Sequence, residues 1–474
     1  MLFSSVGFLF RFLPIFMIIY LAFPKYRNFV LLAGSLIFYG VGEPYFVLLL
    51  LLSVLINYGF SRYMFWEPSS PQSHRKQKAA RRRKRALIFA VVFDLSVLFV
   101  FKYWDFAAGN INRLSGRGLL PLLSLALPLG ISFYTFQMLS YQIDCYRGTV
   151  TAGERAKFVP FATYVCMFPQ LIAGPIVRYQ DVSGRMAERK VRIRDIENGL
   201  KLFTAGLGLK VILANQIGTL WNVIMTAGAG RLHVLVAWLG AFAYSFQIYF
   251  DFWGYSVMAM GLGKMLGFSI PRNFNNPYVS RSVSEFWRRW HMTLGSWFRE
   301  YVYIPLGGNR RGSVRTVLNL LVVWALTGLW HGADWNFVLW GTIFFLLISL
   351  EKKTFGKWLE NSKVLGHIYL ILLIPATWVV FAITDMGQLS GYLGNLIGYH
   401  KEEILVGMTQ LARYLKEYAA LLIACVIFAT PLPGKLYWKW KDRWFMVFLL
   451  LIVFWWSVRE IISGSNNPFL YFRF

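Results

Sequence analysis

The chain is a succession of apolar runs, most of them long enough to cross a bilayer, separated by segments in which Lys and Arg outnumber Asp and Glu. A bilayer core about 30 Å thick takes about 20 helical residues to cross. Inside it, each backbone N–H and C=O must be satisfied within the protein. Candidate spans fall near residues 5–23, 27–41, 44–65, 86–107, 119–142, 199–226, 232–262, 314–330, 335–350, 364–384, 417–432 and 443–462. The pattern predicts an all-α polytopic membrane protein of about 11–12 transmembrane helices, joined by re-entrant and interfacial helices. Composition agrees, since 57% hydrophobic and 15% charged residues exclude both a soluble globule and a disordered chain.

The 49 Lys and Arg against 22 Asp and Glu give a net charge of +27, but these charges lie between apolar segments and form no basic domain, so nucleic acid is not a partner. They mark the cytoplasmic side and attract anionic headgroups or phosphorylated substrates. Cys145, Cys166 and Cys425 are too scattered for a disulfide framework or a thiolate metal site. The six histidines show no ligand spacing, so no metal site is expected. The first run carries Arg11 and Pro14 and lacks a cleavage pattern, which reads as a retained span.

The basic stretch within residues 67–85, from His74 to Arg85, resists translocation and reads as a cytoplasmic loop. Counting back three spans from it puts the N-terminus outside, and counting forward puts the Arg147 to Lys157 stretch inside again. Residues 158–176 are apolar, yet Arg147 and Lys157 precede them and Arg178, Arg185, Arg189, Lys190, Arg192 and Arg194 follow, so both flanks count as cytoplasmic. That segment is expected to enter and return, with Pro169, Gly174 and Pro175 breaking its helix.

Residues 284–350 hold the candidate catalytic region. On a continuous helical wheel, SEFWRRWHMTLGSWFREY places Arg288, His291, Gly295 and Arg299 on one face and Trp290, Leu294, Trp297 and Tyr301 on the other. This is the pattern of an interfacial helix whose arginines either hold a phosphate-bearing donor or anchor anionic lipid. A turn, Gly307-Gly308-Asn309, then leads into an apolar hairpin with Trp330, His331, Gly332 and Asp334 at its apex. The first arm, about 17 residues or 25 Å, need not reach the far water. A histidine at membrane depth is functional by default. Polar stripes at Gln137, Tyr141 and Asp144, and at Gln247, Asp251 and Tyr255, fit a cavity lining or helix-to-helix hydrogen bonding.

The combination FWRRWH, YIPLGGNR and GLWHGADWNFVLWG resembles the membrane-bound O-acyltransferases, and within them the bacterial branch that serves alginate O-acetylation. LPLGISFYTFQMLSYQIDCYRG, MFPQLIAGPIVRYQ, YFDFWGYSVMAMGLGKMLGF and the closing NPFLYFRF extend the likeness over most of the chain. Trp253 and Val257 depart from the pattern and receive no polar role. The resemblance implies one acyltransferase domain over residues 1–474, with a central catalytic tunnel in a cell (inner or plasma) membrane. It implies His331 as the catalytic residue and His291 as a second functional position. Arg288, Arg299 and Gly295 would receive the donor, an acyl thioester such as acetyl-CoA, with no cofactor tightly bound. The acetyl group would pass to an extracytoplasmic serine-hydrolase-like partner or to a polysaccharide hydroxyl. His291, Asn336 or backbone N–H groups near Gly332 would serve the oxyanion. Transfer of D-alanine toward teichoic acid, or transport without chemistry, are the competing readings.

Overall fold

A computed structural model describes residues 1–65, 73–151, 157–400, 403–464 and 469–470. The described residues form helices and turns without any named strand, and one isolated bridge joins Leu232 to Val406. Among the described residues, eight helices are long and apolar enough to span a membrane, or ten when each of two bent pairs counts as one span. The sequence suggests more spans for three physical reasons. The runs at 5–23 and 27–41 are arms of one pair bent by 106°, and Met408–Ala429 bends by 73° into Leu432–Trp440. The run at 119–142 begins without helix, and its helical part is Ile131–Arg147, starting after Gly130 in a left-handed conformation.

Packing divides the chain into two compact units, residues 1–200 with 259–271, and residues 201–258 with 272–474. In the first, α1 (Leu13–Ala22), α2 (Arg27–Gly42), α3 (Phe46–Met64), α4 (Ser73–Leu98), α5 (Trp104–Ser115) and α6 (Ile131–Arg147) precede three short helices. The basic run expected as a loop is helical from Ser73 onward and opens α4, while residues 67–72 lie outside the described residues. Next come α7 (Phe158–Cys166) and α8 (Phe168–Leu171), of 9 and 4 residues. Neither can cross hydrocarbon at about 1.5 Å per residue, as the helix breakers in this segment require. α9 (Tyr179–Ala187) follows. The stripe on α6 is wholly buried: Gln137, Tyr141 and Asp144 are at most 4% exposed, and Asp144 accepts from Gln180 at 3.3 Å.

α10 (Ile193–Gly208) continues through a π-turn, Leu209–Asn215, into α11 (Gln216–Thr226), and α12 (Val234–Met265) runs for 32 residues. In the second unit, Lys210 and Asp251 form a buried ion pair at 2.6 Å. The Leu470 N–H donates to the same carboxylate at 2.8 Å. Asp251 therefore serves helix-to-helix bonding, with both its oxygens engaged. α13 (Val283–Arg289), α14 (Met292–Phe298), α15 (Gly312–His331), α16 (Trp335–Lys353), α17 (Gly356–Asn361) and α18 (Lys363–Ala382) complete the region that builds the site.

Candidate active site

α15 and α16 form the expected hairpin, joined by only three residues, Gly332 to Asp334. Asp334 caps α16, its carboxylate accepting from Trp335 N–H at 2.7 Å. The first arm is 20 residues rather than 17, because its helix takes in Ser313, Gly312 and His331 itself. Glycines set how closely the arms approach. A Cβ on Gly328 would stand 2.5 Å from the Phe337 carbonyl oxygen, and one on Gly341 would stand 2.6 Å from that of Trp324. Gly332 is extended, and a Cβ there would overlap the Phe337 ring. The small residues thus bring two backbones together, the usual device where lipid supplies no hydrophobic drive between helices.

His331 is the last residue of α15 and 4% exposed. Its ring meets Trp340 edge-on at 5.1 Å and Phe381 edge-on at 5.2 Å, with Trp330 at 4.9 Å. Rings from α15, α16 and α18 thus wall the imidazole, and behind them Trp340 stacks on Trp378 at 5.8 Å and meets Trp287 of α13 at 5.4 Å. Such a wall excludes water and strengthens each electrostatic contact inside it.

His291 lies in the break of what the wheel treats as one helix. The backbone there is left-handed, at φ 43° and ψ 52°, so α13 ends at Arg289 and α14 starts afresh at Met292. The expected common face is therefore lost. His291 is 1% exposed, whereas Arg288, Gly295 and Arg299 are exposed. Trp290, Leu294, Trp297 and Tyr301, the residues of the opposite face, are buried. A neighbouring chain segment stabilises the break: Asn275 N–H donates to Arg289 C=O at 2.9 Å, and Met292 N–H to Asn273 C=O at 2.9 Å. A non-glycine residue in this region costs on the order of 1–3 kcal/mol and persists where its surroundings over-determine it.

Asn273 Oδ1 accepts from Thr293 N–H at 3.3 Å and Thr293 Oγ1 at 3.0 Å, and faces His291 Nδ1 at 3.1 Å. An acceptor oxygen in that place assigns the proton to Nδ1, leaving Nε2 with the lone pair. Burial pushes the His291 imidazole down to about 3, so it is neutral at physiological pH. Its ring meets Phe252 at 4.7 Å and Trp330 at 5.8 Å. The Trp330 indole thus touches both imidazoles, a link that spacing between the two motifs does not reveal. Asn336 is no oxyanion donor, because its amide nitrogen already donates to Val380 C=O at 3.3 Å and Phe381 C=O at 3.0 Å.

One further carboxylate holds this arrangement together. Glu351, near the end of α16 and 3% exposed, accepts from Val283 N–H at 2.6 Å and Ser284 N–H at 2.8 Å, capping the first turn of α13. Ser282 Oγ accepts from Glu285 N–H at 3.1 Å, and Glu285 pairs with Arg289 at 2.8 Å along the same short helix. Nothing in the sequence distinguishes Glu351 from a solvated residue at a span's end beside Lys352 and Lys353, since its partners are backbone groups 67 and 68 positions away. Lys210 and Asn273 likewise meet partners far along the chain, Asp251 and His291.

The family model of the membrane-bound O-acyltransferase family matches residues 36–386. A Pseudomonas putida protein named "Probable alginate O-acetylase AlgI" is 34% identical over 100% of both chains. A peptidoglycan O-acetyltransferase of Helicobacter pylori is 28% identical over 100% of this chain and 98% of that protein. A teichoic acid D-alanyltransferase of Streptococcus thermophilus is 27% identical over 59% of this chain and 73% of that one.

Proposed function

The chain belongs to the membrane-bound O-acyltransferase family and is a multi-pass membrane O-acyltransferase, and from that premise we propose that it O-acetylates an extracytoplasmic polysaccharide, drawing acetyl from a cytoplasmic thioester, acetyl-CoA, at the inner or plasma membrane. The end-to-end likeness to a protein named for alginate O-acetylation supports this acyl group and acceptor class. The D-alanyl relative matches a smaller share of the chain, which favours acetyl.

The observation that carries the chemistry is His331, a nearly buried imidazole at the closed end of a hairpin, walled by Trp330, Trp340 and Phe381. In the proposed step His331 takes the proton of the accepting hydroxyl as its oxygen attacks the thioester carbonyl. The C–O bond forms, the C–S bond breaks, and the thiolate leaves, to be protonated by the imidazolium. The dry surroundings protect the thioester from hydrolysis, the competing reaction. His291, neutral and held by Asn273, supports the wall through Trp330 and is not the proton carrier. Arg288, Gly295 and Arg299, all exposed, are where an anionic donor is received, since Gly295 offers open space and the two arginines charge. The acceptor, a polysaccharide hydroxyl or a serine-hydrolase-like protein that takes up the acetyl group, reaches the site from the opposite side.

Purified protein in detergent, given acetyl-CoA with a labelled acetyl group and acetyl-free alginate, tests the reading. Labelled polymer together with free thiol is the expected result. An intact thioester would indicate transport without chemistry, and release of free thiol only with a D-alanyl carrier would indicate the alternative acyl group.

A further inference from the structure

Two arginines of the first unit share one aromatic ring with no carboxylate between them. Arg27 opens α2 just after the 106° bend from α1, and Arg189 follows α9. Both guanidinium carbons lie over the Tyr20 ring, at 5.7 and 5.6 Å, and Arg189 also covers the Phe268 ring at 4.4 Å. Backbone and amide contacts fix the pair: Arg27 Nη1 donates to Arg189 C=O at 2.8 Å, Arg189 Nη2 to Asn28 Oδ1 at 2.8 Å, and Asn28 Nδ2 to Met186 C=O at 2.8 Å. Tyr20 is held in turn by its hydroxyl, which donates to Leu266 C=O at 2.7 Å.

These contacts use a minority of the ten N–H groups that two guanidiniums carry. Both Nε atoms are buried and, among the described residues, have no hydrogen-bond partner. None of the ion pairs among the described residues includes either arginine. Two like charges held this close repel each other, and burial, reinforced by Arg27, holds Arg189 below its ordinary value. The arrangement is fixed by the fold, positively charged and lacking a counter-charge. That is the chemistry of a site for a tetrahedral oxyanion, which guanidinium forks bind bidentately.

The surroundings indicate how the anion arrives. Phe23, Tyr26 and Phe29 at the same bend are 53%, 64% and 61% exposed, an aromatic rim of the kind found where a bilayer meets water. The charge pattern puts residues 178–194 on the cytoplasmic side, where anionic lipids concentrate. The hydrogen bond between Arg27 and Arg189 ties the α1–α2 bend to that segment.

We propose that Arg27 and Arg189 form a phosphate site for the headgroup of an anionic phospholipid in the cytoplasmic leaflet, with the exposed rings at the α1–α2 bend lying along its acyl chains. The site is independent of the acyl-transfer reading.

The test is native mass spectrometry of the full-length protein in detergent, titrated with phosphatidylglycerol or phosphatidylcholine of identical acyl chains. Phosphatidylglycerol should bind about tenfold or more tightly than phosphatidylcholine, and Arg27→Gln and Arg189→Gln should each weaken it by about tenfold. Arg27→Lys and Arg189→Lys, which keep charge but lose the fork, should fall between wild type and the Gln variants, and they decide the matter if a Gln variant does not fold. Inorganic phosphate at millimolar concentration should not displace the lipid; displacement would overturn the lipid assignment in favour of a free phosphate. Equal affinity for the two lipids, or unchanged phosphatidylglycerol binding in the folded variants, would overturn the site itself.

Discussion

Replacing Gly328 by Ala adds one methyl group at the crossing of α15 and α16, away from any reacting atom, and should nonetheless cripple acyl transfer. The added carbon would stand 2.5 Å from the Phe337 carbonyl oxygen, where ordinary contact begins at 3.4 Å. The obstacle is backbone on a helix, which cannot rotate aside like a side chain, so the arms must part locally by about 0.9 Å, the difference between those distances. Gly328 is three residues before His331, and the second arm carries Trp340 against its ring. A displacement approaching 1 Å at a reacting group costs about 10²-fold in rate, while overpacking costs about 1–3 kcal/mol of stability. Turnover at saturating acetyl-CoA, beside gel filtration and a thermal melt in detergent, separates the two effects. The expected variant is monodisperse, melts somewhat lower, and turns over about a hundredfold more slowly. Near-normal turnover in the folded Gly328→Ala protein would refute the claim that the close approach of these helices positions His331.

Glu351→Gln keeps the shape of the cap on α13 but replaces one acceptor oxygen by N–H, facing it against a backbone donor, and should lower the stability of the second unit by about 2 kcal/mol or more, read as a drop in melting temperature. For the buried Lys210–Asp251 pair, Asp251→Asn alone should cost about 3–5 kcal/mol, and adding Lys210→Met should recover part of it, so melts of the two single variants and the double variant should be non-additive. His291 gives a pH dependence of defined sign. Its folded pKa is lowered from 6.5 to about 3, so the unfolded chain binds the proton first, and the stability present above pH 6.5 is lost as pH falls toward 3. At pH 5 the loss is about 2 kcal/mol, and the melting temperature of His291→Gln should fall less between pH 7.5 and 5 than that of wild type; parallel decreases would count against a buried neutral His291.

Much of this fold is legible because the bilayer imposes one length and one composition on each span. The hairpin of α15 and α16 follows from two apolar arms between basic ends, and His331 at its apex from hydropathy and the LWHG segment. Periodicity fails where a helix breaks without proline or glycine. His291 adopts a left-handed conformation because Asn273 and Asn275, on an earlier segment, tie down both sides of the break at Met292 and Arg289. A wheel drawn through residues 284–301 must therefore misplace His291 relative to Arg288, although it groups Trp290 and Trp297, both buried, on one face. Lys210, Glu351 and the twin arginines at Tyr20 are hidden for a related reason. Each looks in sequence like an ordinary charge near a membrane boundary, and only folding shows whether its partner is water, a backbone amide or another side chain.

The central claim is that His331 is the general base of acyl transfer, and single-turnover acetyl transfer by purified His331→Gln tests it most directly. The amide fills the same space without charge, so the protein should fold, elute and bind acetyl-CoA as wild type does. Loss of a general base should slow transfer by about 10²- to 10⁴-fold. A folded His331→Gln protein that binds acetyl-CoA and transfers acetyl at close to the wild-type rate would contradict the account.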